Sequence, residues 1–109
     1  AIPFIVFARG VGAGHAKVAS DTGAEALGVE QGVDLHWAAR TLPCVIQGNL
    51  DPMLLAIGGD AMDRGIDEIV DAVSPGRHIF NLGHGVRQET DPAHVTRMIE
   101  RVRLRDADA

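Results

Sequence analysis

The chain has 109 residues, 46% of them hydrophobic, and a formal net charge of −5. That length allows one domain or part of one, spanning 1–109, with a core that buries roughly 60–68% of the unfolded surface. The mild acidity, with no Lys/Arg stripe to displace phosphate counterions, argues against nucleic acid. No apolar run approaches the ~20 residues that cross a membrane. The single cysteine, Cys44, excludes an intramolecular disulfide and fits a reducing cytoplasm.

In chain order, Ile2-Pro3-Phe4-Ile5-Val6-Phe7 lacks the basic region of a signal peptide. Residues 2–8 form a continuous β-prone apolar run, as a parallel strand buried on both faces reads. The chain therefore opens inside a strand and without methionine, which reads as a fragment. Arg9 to Gly14 is a glycine-rich turn, and His15 to Ser20 a short helix stopped at Gly23. Ala26-Leu27-Gly28-Val29 is a second strand, and Asp34 is placed to cap a helix through Leu35, Trp37, Ala38 and Ala39. Cys44-Val45-Ile46-Gln47 is the third strand. Asp51-Pro52 starts the next helix, because the carboxylate caps and proline at the first helical position loses no hydrogen bond.

The stretch Asp60–Val73 carries Met62, Ile66, Ile69, Val70 and Val73 on one helical stripe, ended by Ser74-Pro75-Gly76. A fourth strand runs from His78 to Leu82. Asp91-Pro92 then opens a helix with Val95, Met98, Ile99 and Val102 at i, i+3, i+4 and i+7. Its Arg97, Arg101, Arg103 and Arg105 read as a solvated face. The order βαβαβαβα implies an α/β fold with a parallel sheet and helical crossovers. Four such units are half of an eightfold (β/α) barrel or a small open sheet.

Parallel α/β proteins place their chemistry where strands end. Two such ends are polar: Gly48-Asn49-Leu50-Asp51-Pro52 and Asn81-Leu82-Gly83-His84-Gly85. His84, between two glycines, can face a ligand without steric cover and is the leading site residue. Asn49 and Asp51 rank below it, since turn asparagines often satisfy nearby backbone groups. Arg9-Gly10-Val11-Gly12-Ala13-Gly14-His15 invites a dinucleotide-binding reading, with Glu30 where a ribose-binding acid would sit. That pattern needs a third glycine at position 15, which is histidine, so a plain strand-to-helix turn is preferred. The histidines His15, His36, His78, His84 and His94 show no H-x-x-x-H pairing, so no metal site is expected. Ser20 and Ser74 lack a G-x-S-x-G setting, and Cys44 reads as a small hydrophobe rather than a nucleophile.

Gln47-Gly48-Asn49-Leu50-Asp51-Pro52, followed by Phe80-Asn81-Leu82-Gly83-His84-Gly85, resembles the C-terminal third of the uroporphyrinogen decarboxylase family. Pro3 to Gly14, Thr22-Gly23-Ala24 and Asp91-Pro92-Ala93-His94-Val95 extend the likeness end to end. The chain departs at Gly28-Val29-Glu30-Gln31, where the family commonly has Gly-Leu-Asp-Trp; an acid is kept and an aromatic lost. The resemblance implies a TIM-type (β/α)8 barrel of which this chain supplies the C-terminal half, with the active site at the barrel's C-terminal mouth. It implies a lyase that removes CO₂ from the four acetate side chains of uroporphyrinogen to give coproporphyrinogen, in heme and tetrapyrrole biosynthesis, without metal or organic cofactor. It implies a cytoplasmic homodimer. The family's key aspartate and arginine-rich segment lie in the N-terminal part, so no catalytic residue is expected in this chain, which alone should be inactive. The resemblance implies that His84 is the substrate-binding position, donating a hydrogen bond to a substrate carboxylate. Arg9 and Arg87 follow strands and could add positive potential.

The related zinc methyltransferases need a cysteine pattern that this chain lacks. The non-enzyme alternative is a stand-alone half-barrel that binds anionic tetrapyrroles or a partner chain. It would expose two strand edges and an apolar interior, and should dimerise or aggregate. A dinucleotide-binding domain using the Gly10–Gly14 loop is the further alternative.

Overall fold

The computed structural model describes residues 2–107. Four short strands, β1 (Ile5–Phe7), β2 (Ala26–Gly28), β3 (Val45–Gln47) and β4 (His78–Ile79), form one parallel sheet in the order β1-β2-β3-β4. They alternate with α1 (His15–Thr22), α2 (Leu35–Thr41), α3 (Pro52–Ile57) and α4 (Gly59–Ala72), and α5 (Pro92–Ala107) follows β4. Parallel strands that neighbour one another in chain order, joined by right-handed crossovers, carry their helices on one face. A dinucleotide-binding sheet of the doubly wound kind instead reverses its order partway across. The observed order has no reversal, which removes one support of the dinucleotide alternative.

Burial follows from that topology. Val6, Leu27, Ile46 and His78 share one register row, and Leu27 and Ile46 are buried beneath the helices. The next row is Phe7, Gly28, Gln47 and Ile79, on the opposite face because side chains alternate along a strand. On this helix-free face Ile5, Phe7 and Ile79 remain 48%, 43% and 42% exposed. Expected burial on both faces of residues 2–8 is therefore met on one face only. The paired part of that run is also shorter, three residues, because β2 offers three partners.

The helix boundaries follow local chemistry. Asp34 accepts a hydrogen bond from the His36 amide at 2.9 Å, and Asp51 accepts one from Met53 at 2.9 Å, each capping its helix. Asp91 caps α5 in the same way through Ala93 at 2.9 Å. Gly23 closes α1 with φ of +66°, a conformation that suits glycine. The third crossover holds two helices where one was expected. Gly58, with φ of +72°, turns the chain between α3 and α4, and a β-carbon there would lie 2.6 Å from the His94 ring.

The core joins Leu27, Val29 and Ile46 of the sheet region to Leu35, Ala38, Leu55, Met62, Ile66 and Ile69 of the helices. The stripe on α4 is buried as its spacing predicts, with Val70 at its margin. On α5, Val95, Met98 and Val102 pack against the core, whereas Ile99 stays 41% exposed. Helix α5 packs on α3 and α4, leaving the far side of its stripe uncovered.

The arginine face of α5 also differs from a solvated one. Arg97, Arg101 and Arg105 pair with Asp63, Asp67 and Asp71 of α4, while Arg103 is exposed. Every pair is separated by 34 residues, so the two helices run parallel. Guanidinium hydrogen bonds from Arg97 and Arg101 hold the Asp63 and Asp67 carboxyls below the usual carboxylate range. No helix of the described residues is long and apolar enough to cross a membrane.

Candidate active site

The carboxyl ends of all four strands meet at one edge, where the sequence places its polar turns. Strand β4 ends early, after Ile79, yet its ladder continues irregularly. Gly48 N–H donates to Ile79 O at 3.0 Å, Leu50 N–H to Asn81 O at 3.1 Å, and Gly83 N–H to Leu50 O at 2.8 Å. This extension carries the chain to His84 directly beside the β3 turn. An open hollow of about 450 Å³ lies here, lined by Phe7, Gly28, Gln47, Asn81, His84 and Val86. That volume falls in the range of small-molecule sites, roughly 300–1,000 Å³.

Gly28 is what gives the hollow its floor. A β-carbon at this position would meet the Phe7 ring at 2.9 Å and the Gln47 amide at 3.4 Å. Both neighbouring side chains therefore lean over β2. Phe7 and Gln47 were missed as lining residues in the sequence reading. Their signal was available: each sits at the last inward position of its strand, and Gln47 is polar where Val45 two residues earlier is apolar.

Behind the hollow, the turns are tied to one another through backbone groups. Asn49 is 6% exposed, and its amide donates to Glu30 O and Val33 O, each at 2.7 Å. Its role is to hold the β2–α2 turn, and Asp51 is spent as a helix cap. Neither joins His84 as a free group. Gln31 packs against Gly83 so closely that a β-carbon on Gly83 would fall 2.2 Å from the Gln31 nitrogen. Asn81 accepts a hydrogen bond from Leu82 N–H at 2.8 Å, a local turn contact.

Charge at this edge is balanced in pairs. Glu30 accepts a hydrogen bond from Gly10 N–H at 2.6 Å and lies 3.9 Å from Arg9. Arg87 pairs with Glu89 at 2.5 Å. His15 is buried, and its Nε2 has no hydrogen-bond partner among the described residues. Burial lowers its pKa, with Glu30 acting in the opposite sense. These facts bear on the dinucleotide alternative. The acid that would take a ribose is engaged with Gly10, and a buried imidazole stands where the third glycine belongs.

The other candidates lie away from the hollow. Cys44, expected inside β3, sits just before it, at the sheet end opposite His84. Its carbonyl accepts from Arg77 at 2.9 Å, as does that of Leu42 at 2.8 Å. His78 bonds Gly48 O at 2.6 Å, and His94 bonds Leu55 O at 2.7 Å, so both serve the fold. Among the described residues no group of three His, Cys, Asp or Glu side chains could hold a metal ion.

The fold and its edge define an α/β protein of consecutive (β/α) units with a ligand-sized hollow at the carboxyl ends of its strands. Residues 1–104 match the family model for uroporphyrinogen decarboxylase (URO-D). Relatives named uroporphyrinogen decarboxylase include that of Sphingopyxis alaskensis, 46% identical over 103 residues, or 93% of this chain and 30% of the relative. Those of Paracoccus denitrificans (46% identical) and Rhodospirillum rubrum (40%) each match 94% of this chain and 30% of the relative. The chain belongs to the uroporphyrinogen decarboxylase family, and it spans about 30% of the length of these curated relatives.

Proposed function

We propose that this chain is the C-terminal part of a uroporphyrinogen decarboxylase and supplies the last four (β/α) units of a (β/α)8 barrel. Sequential parallel strand order supports that architecture, as does an inner sheet face left bare by the helices. The whole enzyme is read as a cytoplasmic homodimer that acts without a cofactor on the four acetates of uroporphyrinogen. Losing CO₂ from an acetate requires an electron sink, which protonation of the adjacent pyrrole carbon provides. A carboxylate must stabilise the resulting cation, and that group is assigned to the N-terminal half.

The observation that carries the reading is the placement of His84: exposed, on the hollow, with its neighbouring turns fixed behind it. In that place its imidazole can donate a hydrogen bond to a substrate carboxylate. In the full-length enzyme, His84→Ala should lower kcat/KM for uroporphyrinogen about tenfold or more, the scale of one hydrogen bond to a charged group. Thermal unfolding should change little. Unchanged turnover would remove His84 from the site. The 109-residue chain alone should form no coproporphyrinogen, and product from the purified chain would overturn the division of labour between the two halves.

A further inference from the structure

We propose that Glu30 is a positioning residue, fixing the glycine loop that carries Arg9, two residues beyond Phe7, which lines the hollow. This inference rests on the decarboxylase reading, since Arg9 is taken to meet a polyanionic substrate. Glu30 is itself held firmly. Asn49, buried, clamps its carbonyl at 2.7 Å, and the following residue, Gln31, is pressed against Gly83. From that fixed backbone the carboxylate reaches across to β1 and accepts the Gly10 amide at 2.6 Å. The turn's own backbone bonds, Gly14 N–H to Val11 O at 2.7 Å and His15 N–H to Gly12 O, shape its second half without tying it to another strand. Gly10 has φ of +70° and Gly12 +49°, and a β-carbon on either would meet no atom within 4 Å.

A loop of this kind has little packing to define it, and one charge-assisted bond can set its position. Arg9, adjacent to Gly10, has a side chain 69% exposed and 3.9 Å from Glu30. The carboxylate thus orients Arg9 while leaving its guanidinium open to another anion. A carboxylate two residues beyond Gly28, at the same strand-end edge as a site for a carboxylated ligand, would otherwise repel it. Here its negative charge faces the amide and the guanidinium.

The test separates the bond acceptor from the charge, in the full-length enzyme. Glu30→Met keeps the side chain's length and removes both oxygens, whereas Glu30→Gln keeps an acceptor for Gly10. Losing a bond of this class should raise KM for uroporphyrinogen about tenfold in Glu30→Met, with kcat nearly unchanged, because Arg9 serves binding rather than the chemical step. Amide exchange of the segment 9–14 should quicken by a similar factor. Glu30→Gln should restore both readouts to within about threefold, as a neutral acceptor still bonds the amide. An unaltered KM and exchange rate in Glu30→Met, or equal losses in both variants, would overturn the role. Should Glu30→Met fail to fold, Glu30→Ser, too short to reach Gly10, is measured in its place. If no form of the enzyme makes coproporphyrinogen, the decarboxylase reading falls, while the exchange rates still decide whether Glu30 holds the loop.

Discussion

Two polar regions of this molecule solve opposite problems. At the strand ends, side chains bond backbone groups of other turns: Asn49 to Glu30 and Val33, Glu30 to Gly10. On the outer helices, side chains bond each other, in the Asp–Arg ladder between α4 and α5. A side chain that satisfies a buried carbonyl is costly to remove, because the carbonyl left behind has no water to replace it. An ion pair near the surface gains little, since water and salt compensate each partner. The first region therefore defines geometry, and the second adds modest cohesion. That contrast explains why His84 can stay exposed: the groups around it are already committed.

The sharpest way to break the contrast is Gly83→Ala. Its new methyl group would collide with the Gln31 backbone, which cannot rotate away, and should cost about 3 kcal/mol in chemical denaturation of the full-length protein. Gly85→Ala, with open space at that position, should cost far less. Equal stability of the two variants would show the strand-end turns to be loosely packed. Next in size, Asn49→Ala removes both amide bonds and leaves the Val33 carbonyl unbonded, while Glu30 O keeps the Val33 N–H at 3.0 Å; it should destabilise by about 2 kcal/mol.

The ladder gives the smallest effects. Asp67→Asn should lower the melting temperature less than Asn49→Ala does, and added salt should shrink the difference further. Its pH dependence has a definite sign. The Asp63 and Asp67 pKa values are depressed on folding, so their contribution is complete above the ordinary value of 3.8. It is lost as pH falls below that value and through the depressed ones. Acid titration of wild type against the Asp63→Asn/Asp67→Asn variant should therefore converge at low pH and diverge above 4. A stability gap that persists in acid would assign these aspartates a packing role instead.

The sequence was most informative where one residue settles one local choice. Asp34, Asp51 and Asp91 capped as their positions predict, and Gly23 ended α1, because caps depend on immediate neighbours. The apolar stripe of α4 was equally readable. What escaped was whatever depends on a partner distant in the chain. Arg97, Arg101 and Arg105 looked solvated because Asp63, Asp67 and Asp71 stand 34 residues earlier. The matching i, i+4, i+8 spacing of the two triplets was the available signal. At the strand ends, His84 was singled out by its glycine neighbours, and it lines the hollow. Glu30's bond to Gly10 could not be seen, because it depends on β1 and β2 being neighbours in the sheet.

The ladder's regularity has a consequence for how α5 finds its place. Arg101 also approaches Asp63 at 3.5 Å, and Arg105 approaches Asp67 at 3.7 Å. Sliding α5 along α4 by one helical turn would exchange these diagonal contacts for direct ones and lose a single rung. The charges therefore choose the direction of α5 far better than its register. Register is assigned at the other end of the helix, where the His94 ring fills the notch at Gly58 and bonds Leu55. That imidazole works as a locating pin, and the arginines as a rail.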